Sequence, residues 1–428
     1  MPPANTTDGF VYEPTLAGRV YYVAQTGDDV ENDGLSAQSP LKTLQAAHDK
    51  VFQKWTGYTL VHVAEGTYDE GGYVYLNSNT RLVIRVPMRY IGAGPGKSII
   101  KGAADPDGKD THSGCGPNAW RCVLSRDVFS AVQGFTLADG HTSINPGGTP
   151  FAQDQKVEGD GNGIRGGAYY GMSKKPCLID CVLTNSAASR GAAIFGGRLI
   201  RCQVVDSEVM ANSDGNAIFR DGSAWGCTFF KVNDRGSAVL YSGTTNFHCS
   251  LSLESSNTAD LGDAAKVRVY NSLCFGRPFV GKNTVYFGCV FDNTDVTQVG
   301  FLDPTVPDFR IRADAPAIGA GVATDDPDYA LLCDWSMDGM RPLYMNGKPT
   351  AGAYQNPLRV FAYSDPYDET LTAKYYLGDG ESAAVTPVPY AKRNPVGSVV
   401  DGVVREGLPI VLSGSDFPLP CAREIPIS

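Results

Sequence analysis

The chain has 428 residues, of which 42% are hydrophobic and 19% charged, with 49 glycines and a net charge of −10. That length fits one long solenoid or two to three ordinary domains. An acidic chain with no Lys/Arg run is a poor partner for nucleic acid or an anionic membrane surface, and no run of about 18 apolar residues is present to span a bilayer.

Residues 1–20 read as an irregular N-terminal extension. Met1 to Asp8 has neither the basic nor the apolar region of an export signal. The chain either takes another route or begins after a signal that was removed. Residues 21–56 read as a cap. Tyr21-Tyr22-Val23 is strand-like, and the polar loop 27–34 follows. Thr43 then stands as N-cap to a short helix in which Leu44, Ala47 and Val51 share one face. A solenoid has an open apolar end, and such a helix is suited to cover it. From residue 57 to about 300, short alternating pieces punctuated by glycine predict stacked β rungs, for example 59–63, 82–84, 98–102 and 132–137.

The middle of the chain contains an internal repeat. Gly166-Gly167-Ala168-Tyr169-Tyr170 recurs in altered form from Gly191, Gly215 and Gly236, at steps of 25, 24 and 21 residues. Between these blocks runs Leu178-Ile179-Asp180-Cys181, which returns as Leu199-Ile200-Arg201-Cys202 and ends again at Cys227, Cys249 and Cys274. A period of 20–25 residues with two or three short strands and no helix predicts a β-helix coil. The Leu/Asn consensus of a leucine-rich repeat is absent. Equivalent residues then stack about 4.8 Å apart. The cysteines, 11 in number and therefore odd, are expected as a column of free buried thiols rather than a disulfide framework.

Several stretches resemble a known family, the bacterial right-handed parallel β-helix repeat proteins of pectate-lyase-like fold, often found in cell-surface proteins. They are Tyr21 to Ala47 with its Gly27-Asp28-Asp29 and Asn32-Asp33-Gly34 loop, Val61 to Tyr68, Gly134-Phe135-Thr136, Asp308 to Gly321, and Asp338 to Tyr354. The resemblance covers about residues 20 to 356. It implies a single-stranded, right-handed β-helix with an N-terminal capping helix and a closing segment at 301–356. The family commonly carries Asp where this chain has Gly319. Residues 357–428 lie outside the match and read as a small β-rich appendage for docking or oligomerisation, with strands expected at 358–363, 374–377 and 408–412. The fold hosts lyases, hydrolases and adhesins alike, so function must come from a site.

Three groups are candidate sites. The residue before each repeated glycine is Arg165, Arg190, Asp214 or Arg235. Stacked on one edge, these form either an anion-binding column for carboxylates or sulfates of an acidic polysaccharide or a solvated row of turns. Tyr169 and Tyr170 are expected as exposed rings beside it. A lyase would also need a base, for which Lys231 or Asp234 is placed. The long insertion 141–162 contributes Asp154, Glu158 and Asp160, either as hydrolase carboxylates or as an acidic surface loop. Asp28, Asp29, Asn32 and Asp33 form an oxygen-rich loop that either holds Ca²⁺ or caps a turn. With five histidines and no CxxC or HxxxH pair, zinc is not expected, and no phosphate loop or G-x-S-x-G is present. Two functions follow: an extracellular or surface protein that binds or cleaves a polysaccharide, and a non-catalytic filament, surface-layer or tailspike-like subunit.

Overall fold

The computed structural model describes residues 19–54, 57–76, 78–108, 113–143, 164–209, 217–230, 238–241, 243–253, 267–276, 284–292, 301–303, 308–311, 315–322, 344–345 and 348–353, together with short strands between 360 and 404. The chain divides into two units, residues 1–311 with 315–356, and residues 312–314 with 357–428.

The first unit is a right-handed parallel β-helix built on three sheets. Sheet A has ten strands, from Val20–Val23 through Cys177–Ile179 to Thr284–Phe287; sheet B has nine, from Gly66–Tyr68 to Val290–Asp292. Sheet C has seven, ending at Ala238–Tyr241. All pairings within sheets A and B are parallel, and sheet C departs from this only where Tyr73–Tyr75 folds back antiparallel on Ser78–Ile84. Each coil visits A, then B, then C. Val20–Val23 is itself the first strand of sheet A, paired with Thr59–Val63, so coiling begins inside the segment read from sequence as the cap.

Period-2 alternation decides what faces the core. Leu178, Leu199 and Ala224 stack in register inside sheet A, Leu183, Val204 and Phe229 inside sheet B, and Val123, Tyr169 and Ile194 inside sheet C. All nine are buried in one continuous cluster.

The turn from sheet A to sheet B is the most regular part of the coil. A residue with positive φ opens it in successive rungs: Gly134, Asp180, Arg201, Gly226, His248, Asn271 and Gly288. The next residue points inward. At Cys181, Cys202, Cys227 and Cys249 its thiol donates to the carbonyl two residues back, at 3.2–3.4 Å. These cysteines are free and buried, as the repeat predicts. One register differs. Cys274 pairs with Leu251 and lies in the inner column of sheet B. Ser272 takes the corner instead, donating to Tyr270 O at 2.9 Å, and Cys289 follows it one rung on.

The helix Leu44–Gln53 covers the open front end. Leu44, Ala47 and Val51 join the core, and Thr43 accepts from Ala46 N as N-cap. The helix also closes the free edge of sheet C: Gln45 Oε1 accepts from Val83 N at 2.8 Å, and His48 Nε2 from Arg85 N at 3.1 Å. Since Nε2 accepts, the ring proton sits on Nδ1 and donates to Asp49 Oδ1 at 2.9 Å. His48 is therefore a neutral hydrogen-bonding group here rather than the cation of an ion pair.

The closing segment at 301–356 is described in part. Its described part runs as a strap over the outer face of sheet B. Ile311, Ala315, Ala317 and Ala351 pack on the outward side chains Phe230 and Leu273. Asn271 clips the strap with both side-chain atoms, donating to Val322 O at 2.9 Å and accepting from Val322 N at 2.8 Å. Ala353 N donates to Ser250 Oγ at 3.1 Å, and His248 Nδ1 donates to Thr350 O at 3.0 Å. The outward side chains Phe230 and Leu273 form an apolar patch on this face, and the strap buries it.

The second unit contains a three-stranded antiparallel sheet, Val360–Ala362, Lys374–Tyr376 and Ser382–Ala384, and the pair Val399–Val400 with Val403–Val404. The strand expected at 408–412 lies outside the described residues.

Candidate functional site

The outer face of sheet C gathers the cations. Val83, Leu124, Tyr170, Phe195 and Arg220 follow one another in register, opposite in parity to the core residues Tyr169, Ile194 and Phe219. Val83, Leu124 and Tyr170 form a cluster separate from the main core, with Tyr73, Tyr75 and Phe195 packed against it.

Arg165 and Arg190 stand on adjacent rungs, joined by a parallel bridge just before Gly166 and Gly191. Both glycines have φ near +59°, and a Cβ on Gly166 would lie 2.0 Å from Tyr169 O. Only glycine fits this turn, which explains its recurrence in the repeat. The Arg165 guanidinium lies 4.7 Å from the Phe195 ring centre and donates to Tyr170 Oη at 3.1 Å. Arg220 approaches the same ring at 5.8 Å and donates to Asp221 Oδ2 at 3.2 Å. Phe195 is thus an aromatic platform between two guanidinium groups, an arrangement that orders the cations through cation–π attraction.

Arg121 supports this edge from below. It is fully buried, donates from Nε to Gly166 O at 2.9 Å and from Nη2 to Arg165 O at 2.7 Å, and lies 5.4 Å from the Tyr170 ring. Burial pulls its pKa down to about 10, and the neighbouring Arg165 charge adds to that. It remains charged at neutral pH.

The sequence placed Arg165 and Arg190 together, and they are together. It placed Tyr169 and Tyr170 at the surface, and here the reading is corrected: they are 1% and 2% exposed. Tyr169 fills the solenoid core, and Tyr170 is covered by its own cluster, leaving its hydroxyl to Arg165. Asp214, Arg235, Lys231, Asp234, Asp154, Glu158 and Asp160 lie outside the described residues. Phe195, Arg220 and Arg121 were not singled out. Phe195 occupies the place of Tyr170 in the repeated block, so alignment of the blocks carries its signal; the same alignment puts Phe219 there one rung later, whereas the structure pairs Phe195 with Arg220, a shift of one residue.

In the N-terminal loop, Asp28 Oδ1 accepts from Val30 N and Glu31 N, and Asp33 Oδ1 accepts from Leu35 N. Asp29 accepts from Lys42 N, Thr43 N and Thr43 Oγ1, while Asn32 donates to Pro40 O. These are turn-closing bonds. The amides on Asp28 hold its carboxyl below the usual carboxylate range. Among the described residues no cluster of three or more His, Cys, Asp or Glu could hold a metal. No helix among them is long and apolar enough to cross a membrane.

No family model and no curated protein matches this chain. Solved structures do. Pectate lyase Pel9A aligns at 13% identity over 80% of this chain and 97% of its own, with a TM-score of 0.39. A rhamnogalacturonan lyase aligns at 11% over 76% and 99%, with a TM-score of 0.34. The pectin methylesterase PemA from Erwinia chrysanthemi aligns at 12% over 74% and 97%, with a TM-score of 0.33. At such identities the likeness is one of fold.

Proposed function

We propose that this β-helix binds an acidic polysaccharide outside the cell or at its surface, along the outer face of sheet C. One observation carries the reading: Arg165 and Arg190 on adjacent rungs, with Arg220 sharing the Phe195 platform with Arg165. Arg165 and Arg190 are carried by adjacent rungs, a backbone step of roughly 4.8 Å, which suits a polymer with repeating carboxylates or sulfates. A lyase reaction would require a base beside these cations, and Lys231, Asp234 and Asp160 are the residues to substitute for it.

Binding is tested by retention on a panel of uronate and sulfated glycans at low and high salt. Retention that falls with salt and with Arg165→Ala or Arg220→Ala supports the reading. No retention and no cleavage of any glycan in the panel refutes it.

A second reading, a non-catalytic assembly subunit, draws on the last coils, where Val285, Phe287 and Phe291 are 43%, 43% and 38% exposed. Under it residues 357–428 serve association, and light scattering on the whole chain would give an oligomer. A strict monomer removes it.

A further inference from the structure

A second constellation lies away from sheet C, beyond the turn that ends sheet B. There His141, Ala187 and Glu208 occupy equivalent positions on three successive rungs: His141 bridges Ala187, and Ala187 pairs with Glu208. The segment Ser113-Gly114-Cys115 crosses this column. Ser113 Oγ donates to Glu208 Oε1 at 2.8 Å, across 95 positions of sequence. Cys115 Sγ donates to Ala187 O at 3.4 Å. A Cβ on Gly114 would meet His141 Nε2 at 2.9 Å, so the ring edge is pressed on that backbone. His141 Nδ1 donates to Asp139 O at 2.9 Å, which leaves Nε2 as the acceptor facing Gly114.

Three features set Ser113 apart from a loop-pinning serine. Its φ is +51°, in the left-handed region that few non-glycine residues adopt. Ser113 and Glu208 are both partly exposed and the bond between them is only part-buried, although a buried hydrogen bond would pin the loop better. The amide N–H groups of Gly114 and Cys115, directly after the serine, have no partner among the described residues. Backbone amides that include the one directly after a nucleophilic serine are the usual donors to the oxyanion of acyl transfer. The neighbours are small, with Ala104 against Gly114 and Ala187 against Cys115.

We infer that Ser113 is a nucleophile for small acyl esters, with Glu208 as its proton acceptor and the Gly114 and Cys115 amides as oxyanion donors. Ser113 Oγ bonds to the acyl carbon while its proton passes to Glu208. The tetrahedral oxyanion rests on the two amides. The carbon–oxygen bond to the alcohol breaks, and Glu208 returns the proton to the departing oxygen. Water then attacks the acyl-serine, Glu208 takes its proton, and the carboxylic acid leaves as Ser113 regains its hydrogen. This activity does not depend on the Arg edge of sheet C.

The test uses the whole chain, a fluorophosphonate probe and p-nitrophenyl acetate. The expected result is one phosphonate mapped by peptide mass spectrometry to Ser113, ester hydrolysis that is lost in Ser113→Ala, and labelling slowed at least tenfold in Glu208→Gln, whose shape is retained. Thermal melts of both variants are compared with the wild type. An unlabelled Ser113 in the wild-type chain overturns the inference, as does a Glu208→Gln chain with an unchanged melt that labels as fast as the wild type.

Discussion

The two turns that flank sheet B use the same device for different ends. Before it, a positive-φ residue is followed by an inward Cys or Ser that donates to the carbonyl two residues back. After it, Asp139, Asn185 and Asp206 have positive φ, and Ser186 and Ser207 donate to Thr184 O and Val205 O at 3.1 and 3.2 Å. The first turn goes on repeating into the last coils, because its thiols and hydroxyl meet only the rungs above and below. The second is crossed by residues 113–116 and gains Ser113, His141 and Glu208. Stacking alone produces uniform columns; individual chemistry arises where a distant segment lands on one.

The sharpest way to break this contrast is to damage the shared interior. Phe229 is fully buried and stacks 5.9 Å from Phe219. Phe229→Ala should cost about 3–5 kcal/mol, read by urea denaturation, and should disturb both turns equally. Arg121→Met should cost less, about 2–3 kcal/mol, by leaving the buried Arg165 and Gly166 carbonyls without their donor. Glycan retention should fall with it, while labelling of Ser113 should not change.

A pH series separates the strap from the rungs. His248 is buried, and that burial lowers its pKa to about 3, against an ordinary value of 6.5. The native state therefore holds it neutral, while the unfolded chain takes up a proton as pH falls below 6.5. Stability should be full above pH 6.5 and decline towards pH 3, by on the order of 2 kcal/mol between pH 6.5 and 4.5. His248→Gln should flatten that slope in denaturation curves collected across the range. The smallest effect is expected at Cys249→Ser. Ser272 already fills the next corner with the same hydrogen bond, so the change should stay under about 1 kcal/mol. A larger loss would show that the thiol column packs in a way that the hydroxyl cannot reproduce.

Much of the fold was legible because a β-helix writes its period into the chain. The G-x-A blocks and the cysteines mark successive turns, and Thr43 with the Leu44, Ala47 and Val51 face marks the capping helix. The misread features share one cause. Cys274 and the burial of Tyr169 and Tyr170 both depend on which face of a strand a residue meets. A slip of two residues leaves the period intact, as Cys274 shows against Ser272. At the candidate sites, Arg165 and Arg190 were legible as repeat equivalents. Ser113 and Glu208 were not, since no periodic pattern links positions 95 apart.

The side chains of Gln45 and His48 close the front edge of sheet C by satisfying the backbone amides of Val83 in the strand Ser78–Ile84 and of Arg85 just after it. Nothing in that closure counts the coils behind it. Residues 181–201 make up one coil, and their excision would bring Cys202 into the place of Cys181. Coil number is thus a quantity that duplication or deletion can alter while the front cap stays the same. The number of guanidinium groups along the edge of sheet C would change with it, since Arg190 lies within that stretch.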